Sequence, residues 1–386
     1  MNKHIRFTPK KKFLFSFIIV ICFFVVLEFL SYLVISSIAE TGFFSSRTIQ
    51  QVFHPYRGWE PPSNTKLKVS KPFFNYKEEK YVYTDTNGRA ITPLNNENPE
   101  LRVVVTGGSS VFGVGSTSNR TNIPSLLETD LNFKYGIKAE VTNLGVRGYN
   151  SFQELVTLHE YLLENEVDYV ISLSGYNDAE RARRGDHIRY ALITRNVFDA
   201  SVPLVRAAQR QQPVVKNLEG YFRRFSYFFD ACFRVLYRIT GQPSVYQNTE
   251  PRNRKENNLD IIERRSAVSI RNYKMMKTLT ESANGEFIFA VQPSLYTWKE
   301  FPGEIEYIKE NIVFYSSNQE FMKKYLKSLV AKSGDLNRLD LRYIMDDLSA
   351  IPFVDSIHYN DLGAKHIAKK LAAMLARKVK LKGSGS

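Results

Sequence analysis

From residue 101 onward, short runs rich in Val, Ile or Phe alternate with longer stretches in which apolar positions recur every three or four residues. The short runs, at 102–106, 139–143, 168–174 and 286–291, predict buried strands. The longer ones predict helices at about 123–134, 151–164, 317–332 and 361–377, the last capped by Asn360 or Asp361. Strands alternating with helices imply an α/β class with a parallel sheet covered on both faces. No internal repeat is present.

The pattern before residue 101 is different. An uninterrupted apolar run covers 13–38 and directly follows a basic tail, 1–12, that carries Lys3, Arg6, Lys10, Lys11 and Lys12 and no acid. About 20 apolar residues cross a bilayer, whereas the apolar part of a cleaved signal peptide spans about 7–15. The run therefore predicts a retained transmembrane helix, although Ser37-Ile38-Ala39 has the form of a signal-peptidase site. Cys22 follows Ile21, not the small residue of a lipoprotein box. Because a basic flank stays inside, the rest of the chain is expected outside the cytoplasm, periplasmic or extracellular. Glu28 lies within the span, where an ionisable group is costly: either it is protonated or reaches the interface, or it contacts another membrane protein.

Residues 39–100 are rich in Pro, Asn, Lys and Tyr and read as a connector with a small β element, with Asn87-Gly88 marking a hairpin turn. The core domain is expected over 101–380, and the terminal Gly-Ser-Gly-Ser at 383–386 as an appended tail.

Composition adds two points. With 386 residues, 43% hydrophobic and 13% aromatic, the chain buries a full core. Its net charge of +14 is concentrated in the tail and in 181–275, where 19 Lys and Arg face 8 Asp and Glu. Within this basic insertion Tyr221, Phe222, Phe225, Phe228, Phe229, Phe233 and Leu236 recur at helical spacing among Arg223, Arg224, Arg234 and Arg238. Such a helix can pack on the core, or serve as a lid, a membrane-surface contact or a groove for an acidic glycan. Nucleic acid is disfavoured by the expected location. Cys22 and Cys232 alone make no disulfide framework.

The candidate chemistry clusters after the strands. Thr106-Gly107-Gly108-Ser109-Ser110 follows the first, where open α/β sheets place their sites. Gly-Gly-Ser also makes ordinary loops, so its partners matter. His358 is the one histidine with an aspartate three residues before it, Asp355; a serine needs a base and the base needs an acceptor to hold its tautomer. The second and third strands lead into Asn143-Leu144-Gly145-Val146-Arg147-Gly148-Tyr149 and Ser174-Gly175-Tyr176-Asn177-Asp178. If the strands are parallel, these loops emerge at one edge, and Gly148 and Asn177 can donate to an oxyanion. Equally, Gly148 can make a turn and Asn177-Asp178 can cap a helix. The histidines lack zinc-ligand spacing, and no metal or cofactor is expected.

In this order, Gly-Gly-Ser, Asn-x-Gly-x-x-Gly, Gly-x-Asn-Asp and Asp-x-x-His resemble the four blocks of the SGNH (GDSL-like) hydrolases. The resemblance covers about residues 101–375. It implies a flavodoxin-like three-layer α/β/α sandwich. It also implies Ser109 as nucleophile, Asp355 and His358 as acid and base, and the Ser109 amide, Gly148 and Asn177 as the oxyanion hole. The first block departs from the usual Gly-Asp-Ser-Leu, with Gly108 and Ser110 flanking Ser109. Gln292-Pro293 resembles a recurring feature of anchored relatives. The function expected is a membrane-anchored serine esterase acting on O-acyl, especially acetyl, esters of a cell-surface glycan. Alternatives are an O-acyltransferase working with an MBOAT-type membrane partner and a non-catalytic glycan-binding or assembly protein.

Overall fold

The computed structural model describes residues 8–40, 51–54, 56–69, 80–94, 96, 98–184, 228–229, 232, 258–298 and 315–383. The chain divides into two units, one of residues 1–47 and 194–250, the other of 48–193 and 251–386.

In the first unit α1 (Pro9–Glu40) is one continuous helix. Its segment Pro9–Ser31 has a mean hydropathy of 2.9 and no buried residue, which makes it long and apolar enough to cross a membrane. Glu28 is half-buried, and its Oε2 accepts a hydrogen bond from the Phe228 amide at 3.2 Å. The basic aromatic helix expected at 221–238 lies outside the described residues except for Phe228, Phe229 and Cys232, which are helical.

The second unit opens with two antiparallel hairpins, β1 (Val52–His54) with β2 (Gly58–Glu60), and β3 (Lys66–Val69) with β4 (Lys80–Tyr83). At the expected turn, the Gly88 amide donates to the Asp85 carbonyl (3.1 Å) and Thr84 bridges Ala90. Gly88 takes a φ of +74°, which suits a residue without a Cβ.

Five parallel strands follow: β5 (Leu101–Gly107), β6 (Ala139–Gly145), β7 (Tyr169–Ser174), β8 (Glu286–Val291) and β9 (Arg338–Asp340). Their order across the sheet is β6-β5-β7-β8-β9. Renumbered within the sheet this is 2-1-3-4-5, the flavodoxin-like order, with the first and third strands flanking the point where the winding reverses. Helices α2 (Ser109–Phe112), α3 (Ile123–Thr129), α4 (Ser151–Leu162), α5 (Tyr176–Arg184), α6 (Asn258–Ser282), α7 (Tyr315–Lys332) and α8 (Asp361–Gly383) complete the unit.

Side chains alternate along each strand, so each face has its own core. Val103, Val105, Ile171 and Ile288 pack with Leu127 of α3 and Ile367, Leu371 and Leu375 of α8. Val104, Val170, Phe287 and Phe289 pack with Leu158 of α4, Tyr273 and Met276 of α6 and Leu326 of α7. The result is the three-layer α/β/α sandwich expected.

At the two ends of the basic stretch 181–275, α5 and α6 belong to the sheet unit, and α6 buries Ile261, Ile262, Ile270, Tyr273 and Met276; most of the stretch between them lies outside the described residues. Two details differ from expectation. The helix expected at 123–134 changes to a π-helical turn over Asp130–Lys134. Strand β9 was not predicted. For α8, the cap is Asn360, whose Oδ1 accepts from the Gly363 amide at 3.1 Å.

Candidate active site

Strand β5 ends at Gly107, and after Gly108 the chain enters α2 with Ser109 at the carboxyl edge of the sheet. The Ser109 Oγ lies 2.6 Å from His358 Nε2. On the other side of the ring, His358 Nδ1 lies 2.5 Å from Asp355 Oδ2. The other carboxylate oxygen, Oδ1, accepts from the amides of Ile357 (2.9 Å) and His358 (2.8 Å). Burial pushes the Asp355 carboxyl up, but the facing histidine and these hydrogen bonds outweigh it and hold Asp355 below the usual carboxylate range. An ionised Asp355 accepts the Nδ1 proton, which leaves Nε2 free to accept from the Ser109 hydroxyl.

The segment carrying Asp355 and His358 is fixed from both ends. The Val354 amide donates to the His358 carbonyl (2.8 Å), and Phe353 bridges Tyr359. The Tyr359 hydroxyl donates to the Pro293 carbonyl at 2.7 Å, so the Gln292-Pro293 pair helps shape the histidine loop. Ser110 bonds to backbone and not to the imidazole: it is 5% exposed, and its hydroxyl donates to the Ile357 carbonyl at 3.3 Å. Ser109 is the serine that meets the base.

The glycine loop after β6 is held through its carbonyls. Those of Arg147, Gly148 and Tyr149 accept, respectively, from the Trp59 indole (3.0 Å), Arg181 Nη2 (2.9 Å) and Asn177 Nδ2 (2.7 Å). The Tyr149 hydroxyl donates back to the Trp59 carbonyl, and the two rings meet edge to face with centroids 5.6 Å apart. Gly148 itself has a φ of +79°, a conformation that a Cβ would strain. The Asn177 amide donates one proton to Tyr149, and its NH2 group carries a second.

Ser109, His358 and Asp355 thus stand in one hydrogen-bonded line, with Asn177 tying the glycine loop to the nucleophile side of the sheet edge. Beside them Tyr176 stacks on Tyr296 (6.2 Å between centroids), and its hydroxyl lies 3.1 Å from Ser356 Oγ. Among the described residues no group of three or more His, Cys, Asp or Glu is arranged to hold a metal ion.

No family model matches the sequence, and no curated protein does. Among solved structures the chain is similar to the acetyl xylan esterase AlAXEase, at 13% identity over 71% of this chain and 99% of that one, with a TM-score of 0.39. It is similar to the Mycobacterium smegmatis aryl esterase at 11% identity, 71% and 98% coverage and a TM-score of 0.37. A member of the lipolytic protein G-D-S-L family from Veillonella parvula gives 10% identity, 70% and 95% coverage and a TM-score of 0.37.

Two contributors to the site carried no readable signal. Trp59 lies in what reads as a connector, far from the loop it clasps. Arg181 sits in a run of charges, Glu180 to Arg184, that resembles a solvated helix face, yet it is only 9% exposed.

Proposed function

We propose that this protein is a membrane-anchored serine acylhydrolase of the SGNH/GDSL type, acting outside the cytoplasm on O-acyl esters of a cell-surface glycan. The observation that carries this reading is the 2.6 Å and 2.5 Å line from Ser109 through His358 to Asp355 at the carboxyl edge of the sheet. In the cycle, His358 Nε2 takes the Ser109 proton as Oγ bonds to the ester carbonyl carbon. The tetrahedral oxyanion is met by the Ser109 and Gly148 amides and the Asn177 side chain. Collapse breaks the bond to the alcohol oxygen, which leaves with the proton from His358, and the acyl group stays on Ser109. A water then gives its proton to His358, attacks the acyl carbon and releases the acid. Asp355 stays ionised throughout and stabilises the imidazolium. Each oxyanion donor contributes on the order of 2.7–4 kcal/mol to the barrier reduction.

The anchoring part rests on the apolar run in α1 and on the basic residues before that run, which favour an inside N-terminus. The glycan and the acetyl group rest on this location and on the resemblance in the four motif blocks.

The test is to treat full-length protein with a fluorophosphonate probe, map the adduct by peptide mass spectrometry and follow aryl acetate hydrolysis. Label confined to Ser109, absent in Ser109→Ala and lost in His358→Ala, is expected. Full hydrolysis by Ser109→Ala would sink the assignment. Label without hydrolysis, together with acyl transfer to a glycan hydroxyl in the presence of a membrane acyl donor partner, would assign the transferase reaction instead.

A further inference from the structure

Beneath the site lies a carboxyl group that the triad does not use. Glu154, in the first turn of α4, is fully buried. Its Oε2 accepts from the hydroxyls of Thr106 (2.8 Å) and Ser172 (2.9 Å), and its Oε1 from Ser174 (2.5 Å). Thr106 is three residues before Ser109, and Ser174 is three before Asn177. Glu154 itself follows Gly148 by six residues, the last four of them in the first turn of α4. Between them Asn150 caps α4, its Oδ1 accepting from the Gln153 amide at 3.0 Å.

A second buried acid extends the tie. Asp178, next to Asn177, accepts from the Ser151 amide (3.2 Å), the Ser151 hydroxyl (3.0 Å) and the Tyr273 hydroxyl (2.8 Å). The start of α5 is thereby fastened to the start of α4. The same acid is the charged neighbour of Glu154, with Tyr273 close to both.

Burying a carboxyl group is costly, and apolar side chains at all four positions would pack these elements together at lower cost. What apolar contacts lack is direction. Hydrogen bonds fix the ends of two strands and a helix to a few tenths of an ångström, and misplacing a catalytic group by about 1 Å can cost ~10²-fold in rate.

We propose that Glu154 is a positioning residue: from below the sheet edge it sets the spacing between the nucleophile Ser109 and the oxyanion donors Gly148 and Asn177. This rests on the reading of Ser109 as nucleophile. Glu154 touches no reacting atom and acts through Thr106 and Ser174.

The experiment measures kinact and KI of fluorophosphonate labelling on the full chain in detergent, beside the melting temperature. The variants are Glu154→Gln, Thr106→Val and Thr106→Ser. An amide nitrogen cannot accept from a hydroxyl, so glutamine reverses or breaks at least one tie while keeping the volume. Expected is a fall in kinact of about 10- to 100-fold for Glu154→Gln, with KI within about twofold of wild type. Thr106→Val should fall in the same direction, and Thr106→Ser, which keeps the hydroxyl, should recover the rate. The Thr106 pair decides the matter if Glu154→Gln does not fold. Labelling at the wild-type rate in Glu154→Gln, or a loss that only tracks the folded fraction, overturns the proposal. Wild-type protein that takes no label at Ser109 overturns the nucleophile reading and this one with it; a labelled wild type with unaffected variants overturns this one alone.

Discussion

Gly108 and Asn177 compete for the same space: a Cβ on Gly108 would stand 2.4 Å from the Asn177 Nδ2. That nitrogen is also tied to the Tyr149 carbonyl at 2.7 Å. The residue before Ser109 is therefore small because the asparagine amide comes beside it. This is a physical reason for the glycine at position 108 in Gly-Gly-Ser.

Gly108→Ala should displace the Asn177 amide and leave the fold standing, because the obstructed atom is the end of a side chain and not backbone. Losing one oxyanion donor costs about 10²–10³ in kcat. Steady-state kinetics on an aryl acetate should show kcat falling in that range with KM little changed, and Gly108→Ala combined with Asn177→Ala should fall little further.

Asp355→Asn keeps the shape of the Asp355–His358 pair and removes its charge. An asparagine can present its NH2 to Nδ1 and so favour the wrong tautomer, leaving Nε2 protonated toward Ser109. A kcat loss of about 10³–10⁴ is expected, read by pre-steady-state acylation. Because the folded Asp355 carboxyl is held below its ordinary value, its stabilising contribution is complete above that value and disappears as pH falls through the depressed one. A retained aspartate-like rate in Asp355→Asn would reject its role.

Stability should decline as pH rises from 6.5 to 8. Burial raises Glu154 and Glu128 to about 7, above the ordinary glutamate value of 4.5. Over that interval the folded protein releases protons that the unfolded chain has already lost, so unfolding becomes easier. His54 is lowered from 6.5 to about 4 by burial and by Arg57, so most of its opposite contribution is gained below pH 6.5 and the small remainder does not offset the two glutamates. Melting temperatures across this window check the sign, and a rise would contradict it.

Trp59→Ala should cost about 3–5 kcal/mol, since the ring is 1% exposed and packs on Tyr149. Trp59→Phe keeps most of that packing and loses the bond to the Arg147 carbonyl, a cost of about 1 kcal/mol. Denaturant titration separates the two. Both variants should also slow acylation per folded molecule, because the Gly148 loop loses a tether.

Four of the five strands of the parallel sheet were legible, three of them (β5, β7 and β8) because each is an apolar run long enough to be buried on both faces, and the edge strand β6 from Ala139, Val141 and the short motif that follows it. Strand β9, Arg338–Asp340, is three residues long and not buried, and no apolar pattern marks it. Helix α6 was hidden for a different reason. Its buried face alternates Ile270, Tyr273 and Met276 with Ser266, Ser269, Asn272 and Thr280, so the apolar stripe is broken by polar groups that bond inside the unit. Asn272, for example, donates to the Ser151 hydroxyl at 2.8 Å. Of the residues that meet at the sheet edge, Ser109, Gly148 and Asn177 were readable because each follows a strand in a short motif, and Asp355 and His358 because of their three-residue spacing. Of the groups supporting them from behind, Glu154 and Arg181 were not, and Asp178, although part of the Gly-x-Asn-Asp block, carried no sign of its burial, since a charged side chain is ordinarily solvated and its burial depends on partners distant in sequence.

The clasp of Trp59 on the loop of Arg147 and Tyr149 also decides what a proteolytic nick would do to this enzyme. A cut ahead of Val52 would leave the sheet unit with its tryptophan in place. A cut just beyond Glu60 would leave the same sheet with the glycine loop unfastened. Under the proposed anchoring by α1, loss of the anchor and loss of activity are therefore separate events, set by a few residues' difference in where the chain is nicked.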